Sequence, residues 1–301
     1  MRIGIIGGSG IGDRLAARLM AGGMETVRHV VETPWGPPSD AVITGRWEGV
    51  HGGGVDVALL SRHGVGHVFP PHQVPYRANI WALKSLGVTH LLATGAVGSL
   101  RESIRPGDLV LCDQFIDRTD GRVRTFFDHG AVHVEFADPC CGVMRRWLGD
   151  AARGLAGTTV HERGVQVVIQ GPSFSTRAEA SMHRAWGADV VGMKALPEAR
   201  LAREAEMAYA LVALPTDDDC WRERGGVADV DSLLAEIRAN LARASDAAYA
   251  LIEAALADAS VLASTLSAAH DALAHAIWSD RARMDRGEIE RLGLLWGRCF
   301  D

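Results

Sequence analysis

Three apolar runs, Val165–Ile169, Val190–Val191 and Ala208–Leu214, each give way abruptly to a block of polar and turn-forming residues. Polar and apolar positions do not alternate within the runs, and helical patterns separate them. They are therefore predicted as strands of a parallel sheet, buried on both faces. Open sheets of this kind bind ligands beyond the carboxyl ends of their strands. The blocks that follow are Gly171-Pro-Ser-Phe-Ser-Thr-Arg-Ala-Glu179, Gly192-Met-Lys-Ala-Leu-Pro-Glu198 and Thr216-Asp-Asp-Asp-Cys-Trp221. All three are expected to converge on one pocket.

A chain of 301 residues with 48% hydrophobic content can bury a full core, and one large α/β domain is the expectation. The net charge of −6, without long like-charge runs, argues against a general nucleic-acid binder or a protein of anionic membrane surfaces. Small anionic ligands stay open, because a local pocket can oppose the global sign. No apolar run is long enough to span a bilayer, and the chain begins on a strand rather than a basic-then-apolar leader. The five cysteines, Cys112, Cys140, Cys141, Cys220 and Cys299, are odd in number and form no Cys-x-x-Cys pair, which fits a reducing compartment. A cytoplasmic enzyme is the resulting expectation.

The strand predicted over Arg2–Ile6 runs into Gly7-Gly8-Ser9-Gly10-Ile11-Gly12 and a helical pattern over Asp13–Met20. Such a turn lets backbone N–H groups approach an anion at a helix start. A dinucleotide fold is the competing reading, with Glu32 near the position of a ribose-binding acid. The third glycine comes one residue too early for Gly-x-Gly-x-x-Gly, and plain strand-to-helix punctuation explains the turn equally well. Ala41–Trp47 and Val55–Ser61 are predicted as a strand pair joined by the glycine run His51–Gly54. Ser61-Arg62-His63-Gly64-Val65-Gly66-His67 follows, where an arginine offers a bidentate fork to an oxyanion and the neighbouring His63 can add a donor. A solvated loop with incidental histidines is the plainer alternative.

Helices are predicted over Pro75–Leu86, Cys141–Ala156 and Val230–Leu256, with further helical patterns over Val261–Trp278 and Arg286–Trp296. Strands are predicted over Thr89–Ala93, Leu109–Asp113 and Thr159–Gln170. Thr94-Gly95-Ala96-Val97-Gly98 reads as a loop of small residues through which main-chain amides approach a ligand. Acid and imidazole side chains between Phe126 and Val134 match no zinc spacing, so no metal is expected. Three consecutive aspartates at 217–219 also make an ordinary solvated turn or helix cap. Phe174 offers an aromatic face to a purine or sugar, though a single such residue is more commonly part of a core.

The three blocks in their order resemble the purine nucleoside phosphorylase family, in its trimeric methylthioadenosine phosphorylase branch, with agreement from Ile3 to about Ala257. The resemblance implies an α/β fold: a single domain with a central mixed, mostly parallel β-sheet flanked by helices. Residues 1–258 would form that domain. Residues 259–301, longer than the family's usual end, would be a C-terminal helical extension packed on it or on a neighbouring subunit. The implied activity is phosphorolysis of a 5′-deoxy-5′-substituted adenosine, with inorganic phosphate as co-substrate, no cofactor, and a homotrimer or dimer of trimers as the assembly.

Carried over position by position, phosphate falls to Ser9, Arg62, His63, Ala96 and Lys194. The nucleoside falls to His67, Gly95, His133, Phe174, Ser175, Met193, Asp217, Asp219 and Val230, with His133 reaching a neighbour's pocket. Asp217 would protonate the leaving adenine, since cleavage of the glycosidic bond places negative charge on the purine. Paired acids match the adenine-selective branch, where guanosine and inosine enzymes place Asn. Val230 stands where a histidine meets a free 5′-hydroxyl, so an apolar 5′ group is implied. Three positions depart from the family: Gln170 for Glu, Gly95 for Thr, Ser or Asn, and Lys194 for Thr or Ser. Those departures keep two alternatives open, a hydrolase in which the Lys194 ammonium fills the phosphate position and a catalytically silent nucleoside-binding protein.

Overall fold

A computed structural model of the chain describes residues 1–8, 11–21, 25–49, 54–222 and 230–300, without the side chains of 230 and 233. In chain order the elements are β1 (Arg2–Gly7), α1 (Ile11–Ala21), β2 (Val27–His29), β3 (Val42–Glu48), β4 (Gly54–Ser61), α2 (Tyr76–Ser85) and β5 (His90–Ser99). Then come β6 (Leu109–Cys112), β7 (Gln114–Arg118), α3 (Gly142–Ala152), β8 (Val160–His161), β9 (Val165–Ile169), α4 (Arg177–Ala185) and β10 (Val190–Gly192). The chain ends with α5 (Ala195–Glu204), β11 (Ala208–Asp217), α6 (Val230–Leu256), α7 (Ser260–Ser264), α8 (Arg286–Arg291) and α9 (Gly293–Trp296).

The strands form one mixed sheet in the order β2-β3-β4-β1-β5-β10-β9-β7, with β11 joining β5 to β6 and β8 continuing from β6. Parallel pairs run through its centre, β1 with β4 and β5, β5 with β11, and β9 with β7 and β10. The expected β3–β4 pair is antiparallel. Strand β11 shows why a run can be apolar at every position from Ala208 to Leu214. Tyr209, Leu211 and Ala213 enter one core with α2, α5 and α9, while Ala208, Ala210, Val212 and Leu214 enter the other with α1, α3 and α6. Successive side chains of a strand point to opposite faces, so a strand covered on both faces needs an apolar residue at every position.

Three expectations change in detail. The strand predicted over Thr159–Gln170 is divided, because β8 pairs with β6 while β9 pairs with β7 and β10. The loop predicted over Thr94–Gly98 is instead the second half of β5, held along its length by β11. The helical pattern over Val261–Trp278 breaks into α7 and a short turn. Thr265 is extended there, and the Ser267 hydroxyl accepts from Ala269 N, the local side-chain competition that disfavours a continuous helix.

The C-terminal extension packs on the body of its own chain. Trp296 is fully buried, its ring stacked on Phe127 at 4.6 Å. Arg298 Nε donates to Glu206 Oε2 at 3.0 Å, and Leu273 N donates to Glu206 Oε1 at 2.9 Å. Truncating a buried tryptophan costs about 3–5 kcal/mol. Trp296→Ala is therefore expected to lower the urea midpoint of the whole protein. A midpoint equal to that of wild type, with residues 259–301 alone released to protease, would show an appendage rather than part of the core.

Candidate functional site

Strand β5 is bordered by β11 on one edge from His90 to Gly98. On the other edge β1 accompanies it only from His90 to Ala93, and β10 joins only at Gly98 and Ser99. From Thr94 to Val97 that second edge has no strand beside it among the described residues. Its carbonyls take side-chain donors instead: Arg62 Nη1 donates to Thr94 O at 2.8 Å, and Lys194 Nζ to Ala96 O at 3.4 Å. The gap in the ladder is where the site opens.

On one side lies a cavity of about 220 Å³ whose walls include Ala96, Val97, Phe174, Ser175, Met193, Lys194, Asp217 and Asp219. All three polar blocks meet here, as expected. Phe174 is 83% exposed, which removes the core reading for that ring. Thr176 and Glu179 close a capping box at the start of α4, so the first block ends in a fixed helix N-terminus rather than a loose loop.

Asp217 and Asp219 stand together at the end of β11. The Thr216 hydroxyl donates to Asp217 Oδ2 at 2.7 Å, and Asp219 N donates to Asp217 Oδ1 at 2.8 Å. These donors fix the orientation of the Asp217 carboxyl. Burial, followed by the Asp217 charge, pushes the Asp219 carboxyl up to about 6. Its Oδ2 is buried without a hydrogen-bond partner among the described residues. Asp219 therefore holds a proton closer to neutral pH than an ordinary carboxyl does. The acids fit closely because residue 98 is glycine. A Cβ there would lie 3.1 Å from Asp217 Oδ1 and 3.2 Å from Asp219 Cβ.

A second cavity, of about 240 Å³, is lined by Gly7, Gly8, Gly12, Ser61, His63 and His67 among others. His63 Nδ1 lies 2.7 Å from Phe69 O. A carbonyl only accepts, so Nδ1 carries the hydrogen and the neutral ring presents a lone pair at Nε2, itself buried without a partner among the described residues. Burial, with Arg62, His67 and Lys194 nearby, lowers its pKa to about 4. His63 is thus an acceptor at neutral pH, not the donor that its position suggested. The His67 ring stacks on it at 4.1 Å.

Arg62 is fully buried behind this cavity. Its Nε and Nη2 donate to the two oxygens of Glu198 at 2.7 and 2.9 Å, and Tyr209 OH donates to the same carboxylate at 2.9 Å. Lys194 lines the 220 Å³ cavity. Burial and then the Arg62 charge lower its ammonium to about 8.

Other expected residues are placed differently. Ser9 lies outside the described residues. Val230 opens α6, but its side chain lies outside them as well. Gly95 sits in β5 beside the Lys194 stem. His133 does not line the 220 Å³ cavity of its own chain, and its ring packs against Trp278 at 4.9 Å. Gln170 accepts from Arg122 Nε at 3.0 Å. No group of three or more His, Cys, Asp or Glu that could hold a metal occurs among the described residues.

Three contributors escaped the sequence reading. Ile237 and Leu241 extend α6 over the cavity, and their spacing of four on an alanine-rich helix was the available signal. The third, Glu198, was visible only as part of a block, because nothing local says that it faces Arg62.

The family model described as Phosphorylase superfamily matches residues 2–257. S-methyl-5′-thioadenosine phosphorylase of Danio rerio is 50% identical over 237 residues, 77% of this chain and 80% of that one. The enzyme of the same name from Cereibacter sphaeroides is 49% identical over 76% of this chain and 75% of its own length. A crystal structure of a methylthioadenosine phosphorylase from an Antarctic soil metagenomic library superposes with a TM-score of 0.81 at 41% identity, covering 97% of this chain and 98% of that one. The methylthioadenosine phosphorylase of Schistosoma mansoni, in complex with adenine, gives 0.73 at 34%, covering 99% and 98%. With the match running across the whole sheet and every block that lines the cavity, the chain belongs to the phosphorylase superfamily.

Proposed function

We propose that the protein cleaves 5′-methylthioadenosine with inorganic phosphate, giving adenine and 5-methylthioribose 1-phosphate. The observation that carries this reading is the position of the Asp217–Asp219 pair, in a largely apolar cavity beside the open edge of β5, whose carbonyls receive Arg62 and Lys194. A phosphate oxygen attacks C1′ from the Arg62, His63 and Lys194 side, together with the Ala96 amide and Ser9. The C1′–N9 bond breaks and its electron pair passes to the purine. Asp217 delivers a proton to N7, drawn from the pair it shares with Asp219. An ionised carboxylate also accepts from the 6-amino group, whereas the oxygen of a 6-oxopurine would oppose it.

His63, with its lone pair outward, suits the hydroxyl of hydrogen phosphate. Phe174, Ser175 and Met193 would hold base and ribose, with His67 and Gly95 on the sugar side. The apolar wall from Ile237 and Leu241 favours a thioether over a 5′-hydroxyl, and the family resemblance assigns Val230 the same part. A homotrimer in the cytoplasm, with His133 of one copy completing a neighbour's cavity, is part of the same proposal. So is the division into a phosphorylase domain, 1–258, and an extension, 259–301.

Adenine release is expected from methylthioadenosine only with phosphate present, with methylthioinosine a poor substrate. Equal release without phosphate would establish a hydrolase, and binding without turnover a silent receptor. Asp217→Asn is expected to lower kcat/KM for methylthioadenosine by about 10²–10⁴. Because the proton on Asp219 is lost as pH rises through about 6, kcat/KM should decline above that value, and Asp219→Asn should lack that limb. A wild-type profile flat from pH 5 to 8 would remove the proton from the argument. Gly98→Ala, which crowds both acids, should reduce kcat by about tenfold to a hundredfold with less change in KM.

A further inference from the structure

The open edge of β5 gathers more formal charge than it offers to a ligand. Arg62 faces Glu198 through both Nε and Nη2, at 2.7 and 2.9 Å, so its planar fork grips a carboxylate of the same chain and its charge is balanced on the spot. His63 and His67 are both held below the usual imidazole range, first by burial, and carry no charge at neutral pH. Lys194 differs. Its ammonium has three hydrogens and a backbone contact at Ala96 O, 3.4 Å away, while the nearby acid Glu198 is already paired.

The position of that ammonium depends on residue 95. A Cβ built on Gly95 would stand 3.9 Å from Lys194 Cδ, in ordinary contact with the lysine stem. The lysine stem is the one neighbour that a side chain at 95 would meet within 4 Å of its Cβ among the described residues. The glycine and the lysine are 99 residues apart by subtraction of their numbers, yet each fills what the other leaves.

We propose that Gly95 and Lys194 act as one anion-binding unit, in which the bare backbone at 95 forms the channel for the lysine stem and the ammonium at Ala96 O supplies the charge that binds phosphate. The proposal rests on the phosphorolysis reading and adds to it the group that sets phosphate affinity. It also makes that affinity titratable. The groups facing the ammonium are Arg62, Glu198, His63 and His67, and of these Lys194 is the one placed to lose a proton near pH 8.

The test is steady-state kinetics at varied phosphate and varied nucleoside for wild type, Lys194→Met, Gly95→Thr and the double variant. Lys194→Met keeps the length of the stem and removes the charge. It is expected to raise the phosphate KM by about tenfold or more, the loss of a charge-assisted hydrogen bond, with the nucleoside KM within about twofold. That unchanged nucleoside KM also shows that the variant folds. Gly95→Thr should raise the phosphate KM by displacing the ammonium, and the double variant should be no worse than Lys194→Met alone. In wild type the phosphate KM, expressed per phosphate dianion, should climb above about pH 8, and Lys194→Met should lack the climb. An unchanged phosphate KM in Lys194→Met, or effects of the two single changes that multiply in the double variant, would overturn the unit. Adenine release by wild type without phosphate would instead overturn the phosphorolysis reading beneath it.

Discussion

The site exists because β5 is longer than its neighbours on one edge. Beside Thr94–Val97 neither β1 nor β10 supplies a ladder, while β11 holds the opposite edge without interruption. A backbone edge left unpaired in a protein interior must be satisfied by something else. Here the carbonyls of Thr94 and Ala96 receive Arg62 and Lys194. The need to satisfy that edge thus draws two cations to β5, while the ends of β10 and β11 bring Met193 and the acid pair to the cavity that Lys194 also lines. The fold thereby gathers positive and negative functional groups around one strand, as a reaction needs when an anion arrives at one atom and a proton at another.

Burial of Arg62 against Glu198 is the price of that arrangement. Removing one partner of a buried ion pair is far more damaging than replacing both, so Glu198 is as necessary to the cationic side as the arginine. Tyr209 adds its hydroxyl to the same carboxylate from the start of β11, and its own ring meets Phe115 edge-on at 6.4 Å. Arg62 is thereby fixed as a rigid wall. A lysine on a flexible stem makes the complementary element, a compact charge that can follow a ligand.

The sheet was readable because apolar runs without alternation admit few structures, and their polar ends marked the pocket before any coordinates. What local pattern could not give was orientation. Thr94–Gly98 looked like a loop because small residues lack β propensity, yet the β11 ladder holds them extended. His63 was read as a donor because side-chain type alone does not show that Phe69 O fixes its tautomer. The pairing of Arg62 with Glu198 spans 136 residues and has no sequence signal in a single chain. The failed helix over Val261–Trp278 has a local cause in Thr265 and Ser267, residues whose side chains compete with a helix for backbone groups.

Polar side chains at the end of β11 show how one strand can serve both stability and chemistry. Through Leu214 every residue is buried and apolar, and the register with β5 is continuous. Between Pro215 and Asp217 the register shifts, a local irregularity that re-aims the following side chains. The Thr216 hydroxyl donates to Asp217, Asn240 of α6 donates to Thr216 O at 2.8 Å, and Asp219 adopts a φ of 48° to turn its own amide onto Asp217. Asp219 is thus folded back beside a charged neighbour, in a place water reaches poorly, and its carboxyl is held up for that reason. The strand that closes the core therefore also sets the acidity of the pair, and a change that loosened its last turn would alter proton affinity before it altered the fold.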